Sequence, residues 1–279
     1  MKLRSYNLIV STGKIGIQST MMYKGNFFLS LIVGFISLCA QIIFWPAVYG
    51  VDVSKMASYG GGIISGYTLS QMLAYSILVY ILQFGNSTVN IGNKIKSDIM
   101  SGDLNSSLIR PFNYLYNSMI FTLAKQIILF FLSVITMTIL VWAFKDWVAL
   151  PENIMNIVLL IPAVFMAYTV SFLISCILGL ISFWILETST LDTFLKGVLL
   201  IMSGAVFPLD YINGTGGIIL KYLPFSYITF FPTQLYLAKS ITINLFFDYL
   251  VGLIWVVVLL TIVKKMWSKG IRKYSAYGG

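Results

Sequence analysis

The sequence predicts an all-α membrane protein with six transmembrane helices. Of its 279 residues, 58% are apolar and only 10% are charged. A soluble domain carries about 25% charged residues, so this chain has too little polar surface to cover a globule in water. Its charges are separated by long uncharged runs, and about 20 apolar residues are enough to cross a bilayer as a helix. Six spans are the simplest count, which places both termini on the same side.

The distribution of basic residues predicts how the spans are oriented. The net charge is +9, from 18 Lys and Arg against 9 Asp and Glu. If both termini are cytoplasmic, 13 basic residues lie in inner segments and 4 in outer ones. Cytoplasmic loops carry an excess of Lys and Arg, so this is the predicted orientation. The basic residues then face lipid headgroups, and no nucleic-acid partner is needed to explain the charge.

The N-terminal 26 residues are predicted to remain part of the protein as an interfacial helix. They lack the unbroken apolar region of a signal peptide. Apolar residues that include Leu8, Ile15 and Met22 alternate with polar ones, as in a helix that lies at the inner membrane surface. A disordered basic leader is the alternative interpretation.

The first three predicted spans differ in polarity. Residues 27–49 are uncharged and end with Phe44, Trp45 and Pro46, an aromatic belt followed by a helix breaker. A weaker span from residue 67 to about residue 84 contains two glutamines whose amides need partners in other helices. The third uncharged run, residues 126–144, follows Lys125. Its ammonium is expected to reach the inner headgroups rather than form a buried functional site.

The second half of the chain contains one long span, one short span and a broken outer segment. Residues 153–186 would extend about 50 Å as a helix, so this span must tilt or project into the cytoplasm. Residues 197–209 are too short to cross unless residues 193–196 are added. Residues 210–239 are rich in aromatic residues and proline, which suits short half-helices in the outer leaflet. The last span, residues 240–263, contains Asp248, either a carboxylate near the outer interface or a site facing an internal cavity.

A cytoplasmic segment of residues 89–112 has the pattern of two short helices. Ile91, Ile95 and Ile99 recur at helical spacing among charged residues, and Gly102 ends the first helix. Asp103 is placed to cap a second helix that stops before Pro111. Since a solvated loop needs no apolar residues at helical spacing, we expect this segment to dock on a partner.

No energy source is recognisable within this chain. The stretch Ser11-Thr12-Gly13-Lys14 lacks both the preceding glycine and the following hydroxyl residue of a phosphate-binding loop. The chain has no histidine, and its two cysteines are not spaced as metal ligands. We therefore predict no catalytic, cofactor-binding or metal-binding residue here, and no enzyme. Active transport would take its energy from another polypeptide, unless the chain is an ion-coupled carrier using Asp248 or a non-transporting immunity or scaffold protein.

Three stretches resemble permease subunits of the ABC-2 type, the membrane components of ATP-binding-cassette exporters. Residues 23–28 are similar to the junction between an interfacial elbow helix and the first span. Residues 98–111, from Asp-Ile to Arg-Pro, are similar to the motif between spans two and three. The third stretch is residues 203–232, with Ser-Gly, Phe-Pro-Leu-Asp, Leu-Pro-Phe and Phe-Pro in order. The likeness is greatest to the daunorubicin-resistance-like branch, although residues 213–217, Asn-Gly-Thr-Gly-Gly, replace a second proline of that pattern.

The resemblance implies a domain organisation and a set of partners. Residues 1–26 would be a cytoplasmic elbow helix, residues 27–263 the six-span permease domain, and residues 264–279 a basic cytoplasmic tail. The chain would lie in a bacterial plasma membrane and pair with an identical or related permease and with two ATPase subunits, which bind the ATP and Mg²⁺. The cargo would be a drug, peptide, lipid or similar amphipathic molecule.

The resemblance also implies roles for individual residues. Those expected to dock on the ATPase are Asp98, Ile99, Gly102, Asp103, Leu104, Arg110, Glu187 and Asp192. Those expected at an outer gate with re-entrant helices are Phe207, Pro208, Asp210, Pro224, Phe225 and Pro232.

Overall fold

The computed structural model describes residues 11, 13–16, 18, 24–52, 62–85, 89–109, 113–143, 145–185, 189–238 and 243–274. In chain order the helices are α1 (Lys24–Val48), α2 (Leu69–Gly85), α3 (Val89–Met100), α4 (Leu104–Leu108), α5 (Tyr114–Ala143), α6 (Ile154–Leu180), α7 (Ser189–Met202), α8 (Thr215–Tyr222), α9 (Phe230–Leu237) and α10 (Ile243–Lys273). Single 3₁₀ turns lie at Ile181–Phe183, Leu209–Tyr211 and Pro224–Tyr227. The predicted all-α class is confirmed.

A two-stranded hairpin was not predicted from the sequence. Strands β1 (Ile63–Ile64) and β2 (Tyr67–Thr68) pair antiparallel, with Ile63 opposite Thr68. The turn between them uses Ser65 and Gly66, both with positive φ, which matches the twist that a tight hairpin needs. The hairpin leads directly into α2.

The apolar helices agree with a polytopic membrane protein. Three stretches are long and apolar enough to cross a bilayer: Tyr114–Thr136 in α5, Ile154–Phe183 in α6 and its 3₁₀ turn, and Leu245–Lys273 in α10. Shorter apolar helices, Gly34–Val48, Leu69–Gln83 and Thr193–Met202, lie where the first, second and fifth spans are predicted. Both sets come from the described residues, and the count of six spans stays a prediction.

Several helix boundaries differ from the uncharged runs. Helix α5 begins 12 residues before the uncharged run at 126, and α10 continues ten residues beyond 263 to Lys273. Helix α7 ends at Met202, and the chain turns at Gly204, where φ is +78°. Backbone hydrogen bonding continues through exposed or snorkelling charges, so charge marks the edge of the lipid-facing part and not the end of the helix.

Helix α6 lies at the centre of the molecule. Of its most apolar stretch 56% is buried, against 18% for α5 and 17% for α10. It packs against α3, α9 and α10, while α2 packs against α1 and α5. The outward side chains of α5, such as Ile127, Phe131 and Ile139, are 58–62% exposed, as expected for a surface that faces lipid or another subunit.

Only part of the predicted elbow lies within the described residues. Positions 11, 13–16 and 18 are helical. Gly16 lies against α5, since a Cβ added there would be 2.9 Å from the carbonyl oxygen of Phe121. Residues 1–10 and 19–23 lie outside the described part of the chain.

Candidate functional site

The segment predicted to be cytoplasmic folds as two short helices joined at a glycine. Helices α3 and α4 are separated by a turn in which Gly102 has a φ of +82°. Ile91, Ile95 and Ile99 are all buried, so the predicted apolar face is confirmed. We call this unit, residues 89–109, the knob.

The predicted cap by Asp103 is wrong in its chemistry. Asp103 does precede α4, but its side chain makes no capping hydrogen bond to that helix. Its carboxylate instead accepts a hydrogen bond from Ser101 Oγ at 2.7 Å, and its carbonyl oxygen accepts one from Ser106 Oγ at 2.8 Å. The carboxylate therefore stabilises the turn before α4.

Glycines allow the knob to pack closely on the C-terminal half of α6. The Gly92 amide donates a hydrogen bond to Ser175 Oγ at 3.1 Å. A Cβ at Gly92 would lie 2.5 Å from the Ser175 carbonyl oxygen, and a Cβ at Gly179 would lie 2.6 Å from the Gly92 carbonyl oxygen. Any larger residue at either position would push α3 away from α6.

Three of the residues predicted to dock on a partner face the rest of the chain instead. Asp98 accepts hydrogen bonds from Tyr114 Oη at 2.6 Å and from Lys94 Nζ at 3.0 Å. Its side chain is only 14% exposed. Ile99 is 7% exposed and Leu104 is fully buried. These side chains hold the knob in place, and a docking protein would contact their neighbours.

The exposed surface of the knob is partly apolar. Met100 is 43% exposed, Leu108 40% and Ile109 86%, and Asp103 lies exposed between them in the chain. Sequence reasoning missed these three apolar residues because exposure of individual positions in so short a helix is set by packing. Of the other predicted docking residues, Arg110 and Glu187 lie outside the described residues, as does the side chain of Asp192, which is part of α7.

On the predicted outer side, three side chains meet at the carboxylate of a fourth residue. Asp210 accepts hydrogen bonds from Tyr67 Oη and from Gln234 Nε2, the second at 2.9 Å, and forms an ion pair with Lys221. The four residues come from β2, the Leu209–Tyr211 turn, α8 and α9. The sequence singled out Asp210 but none of its partners.

Short elements pack over the outer end of α2 around this carboxylate. We call residues 204–238 the outer cap. Tyr75 Oη donates to the Gly204 carbonyl oxygen at 2.5 Å, and the Phe230 amide donates to the Ser203 carbonyl oxygen at 3.0 Å. Proline begins or precedes several cap elements: Pro208 and Pro224 are buried before and within 3₁₀ turns, and Pro232 is buried in the first turn of α9. Phe207 and Phe225 are half-buried.

A cavity of about 290 Å³ lies between α2, α6, α7 and the outer cap. Its polar lining is Gln83, Ser171, Ser175, Lys196, Ser203 and Thr229, and leucine and isoleucine side chains supply the rest. Lys196 Nζ also donates to Asn93 Oδ1 at 3.4 Å, which links α7 to the knob. Lys196 therefore connects the wall of the cavity to the knob.

The two predicted intramembrane polar residues lie away from this cavity. Asp248 is half-buried in the second turn of α10 and does not line the cavity. Lys125 is half-buried in α5 with its Nζ 5.3 Å from the centre of the Phe121 ring, one turn closer to the inner end. Within the described part of the chain, no group of three or more His, Cys, Asp or Glu side chains is placed to hold a metal ion.

The described residues thus combine apolar helices, a partly polar cavity, the knob and the outer cap. Comparison with protein families matches residues 35–278 to the ABC-2 family of transporter proteins. The chain therefore belongs to that family. A search of curated proteins finds no match.

Proposed function

We propose that this chain is the permease subunit of an ATP-binding-cassette exporter in a bacterial plasma membrane. Two separate ATPase subunits bind ATP and Mg²⁺, and a second identical or related permease completes the pathway. Membership of the ABC-2 family supports the permease role. The resemblance of the sequence motifs to daunorubicin-resistance-like exporters supports export. The observation that carries the proposal is the rigidly seated knob, because a permease without its own ATPase site needs a surface that receives movement from a partner.

The exposed side chains of the knob fit this docking role. Met100, Leu108 and Ile109 are apolar side chains of the knob that lie exposed, and two of them are adjacent in the chain. Neighbouring apolar side chains exposed to water favour a protein contact. The ATPase therefore contacts these exposed side chains. Asp98, Ile99 and Leu104 pass the movement of the knob on to the helices that they contact.

The cavity between α2, α6 and α7 supports a role in substrate passage. At about 290 Å³ it is at the lower end of ligand-binding cavities, which measure about 300–1,000 Å³. One permease therefore encloses part of a substrate, and the second permease completes the wall. A lining of hydroxyl, amide and aliphatic groups suits an amphipathic molecule such as a drug, peptide or lipid. The outer cap, closed around Asp210, acts as the outer gate.

The test is co-purification with an ATPase encoded beside this chain. We expect Ile109→Glu to prevent association, because a charge would be placed in the apolar contact. The matched control is Ile63→Glu, which changes a residue that is 71% exposed in the β-hairpin, at the predicted outer surface. Normal association and normal ATP-driven transport by the Ile109→Glu variant would exclude the docking assignment. A wild-type chain that binds no ATPase would favour the carrier or the scaffold alternative.

A further inference from the structure

The C-terminal end of α10 extends well beyond the membrane-spanning part of that helix. The helix has 31 residues, which makes it about 46 Å long. The hydrocarbon core of a bilayer is about 30 Å thick, so about ten residues project from it. Basic residues begin at Lys264, so the projecting part is the last ten residues of the helix, on the side where the knob lies.

This projecting end has two different faces. Val263 and Gly270 are buried, and Met266, Trp267, Ile271 and Tyr274 pack against the same core. Their spacing of three or four residues forms one stripe along a helix. The opposite face is exposed and carries the basic residues Lys264, Lys265, Lys269, Arg272 and Lys273. The charges alone would suggest a headgroup anchor, but the buried stripe shows a second contact.

The buried stripe is connected to the knob through Tyr114, the first residue of α5. The Trp267 ring lies parallel to the Tyr114 ring, with centroids 5.3 Å apart and an interplanar angle of 1°. Tyr114 in turn donates its hydroxyl hydrogen bond to Asp98 of α3 at 2.6 Å. Tyr114 thus lies between Trp267 and the Asp98 carboxylate, and it connects α10 to the knob.

A second set of contacts joins the same stripe to the end of α6. Phe183 packs edge-on against both Trp267, at 6.1 Å, and Tyr274, at 5.9 Å. A Cβ at Gly270 would lie 2.2 Å from the Phe183 ring, so the helix approaches as closely as glycine allows. Burial raises the pKa of Tyr274, and the negative charge of Asp103 raises it further.

We propose that the end of α10, residues 264–273, supports the knob during coupling to the ATPase, and we call it the strut. In this proposal Trp267 is the positioning residue that makes the knob and α10 move as one body. The proposal rests on the proposed function, since the movement comes from the docked ATPase. Trp267 is expected to touch neither the ATPase nor the substrate. It acts through Tyr114 and Asp98, which keep the knob fixed on the last span.

The test measures distances between spin labels in the permease–ATPase complex. The labels are placed at exposed positions by Asn105→Cys in α4 and Lys269→Cys in α10, with Ala47→Cys in α1 as the reference and both native cysteines replaced by alanine. On trapping with ATP and vanadate, the distance from 105 to 269 is expected to stay constant while that from 105 to 47 shifts. If the two distances shift equally, or neither shifts, the strut is excluded.

Substitution of Trp267 then separates positioning from simple stability. Trp267→Ala is expected to let the 105–269 distance change on trapping and to reduce permease-dependent stimulation of ATP hydrolysis by about fivefold or more, with complex formation retained. Trp267→Phe keeps a ring against Tyr114 and is expected to restore both. Trp142→Ala, a change of the same kind at a side chain 77% exposed in α5, is the control. Wild-type behaviour of Trp267→Ala in both measurements would overturn the proposal.

Failure of the proposed function would be recognised separately. A wild-type chain that binds no ATPase defeats the exporter assignment. The strut is then tested in the isolated chain, where Trp267→Ala is expected to broaden the 105–269 distance distribution relative to the wild type and to Trp142→Ala. An unchanged distribution would overturn the strut as well.

Discussion

Single glycines decide how closely α3 approaches α6. A Cβ at Gly179 would meet the Gly92 carbonyl oxygen at 2.6 Å, a backbone atom that cannot rotate away. We therefore expect Gly179→Ala to lower the free energy of unfolding by about 1–3 kcal/mol, as for other overpacked sites. Thermal denaturation in detergent measures this change.

The matched control for that substitution is Gly197→Ala in α7. No atom lies within 4 Å of a Cβ at Gly197, and alanine is favoured over glycine in a helix by about 0.5–1 kcal/mol. This variant is expected to be neutral or slightly stabilised. Equal melting temperatures for the two variants would show that α3 and α6 are not in close contact.

Asp210 is the second position where one residue joins several elements. Asp210→Asn keeps the shape of the side chain but removes the charge that pairs with Lys221. Hydrogen bonds to charged groups contribute about 1.5–3 kcal/mol, and partial exposure reduces this, so we expect a loss of about 1–2 kcal/mol of stability. Chemical denaturation monitored by intrinsic fluorescence provides the measurement. The exposed Asp146→Asn serves as control, and an equal effect of both changes would argue against the Asp210 cluster.

At the scale of elements, the knob depends on a sharp break between α3 and α4. Gly102 has a φ of +82°, a conformation that costs other residues about 1–2 kcal/mol. Asparagine tolerates positive φ better than β-branched residues do. Permease-dependent ATP hydrolysis is therefore expected to decrease in the order wild type, Gly102→Asn, Gly102→Val. Full activity of the valine variant would mean that the ATPase does not need this turn.

The knob was predicted from sequence because its determinants are local. Isoleucines at helical spacing and one glycine define two helices without reference to the rest of the chain. It could not be predicted in the same way that the Asp98 side chain faces inward and the Ile109 side chain faces outward. These orientations follow from how the knob packs on Tyr114 of α5 and on α6, and both belong to other helices.

At the scale of the whole molecule, the charge distribution predicts an orientation that can be measured. Asn105 in the knob and Asn213 in the outer cap are both exposed. In a background without native cysteines, a membrane-impermeant maleimide added to intact spheroplasts is expected to label Asn213→Cys and not Asn105→Cys. Detergent should make both reactive. The reverse pattern would invert the topology and place the knob outside the cell.

The sequence by itself determined that this is an all-α membrane protein, because long apolar runs can be seen without any structure. It predicted the orientation from the positions of Lys and Arg. Family membership followed from short motifs spread along the chain. Only the tertiary structure decided which side chains hold the knob, which three residues surround Asp210, and that the basic C-terminal end also packs on Tyr114 through Trp267. Those contacts join residues up to 167 positions apart, and no local pattern specifies such a pairing. It arises because buried polar and aromatic groups must find partners once the helices have packed.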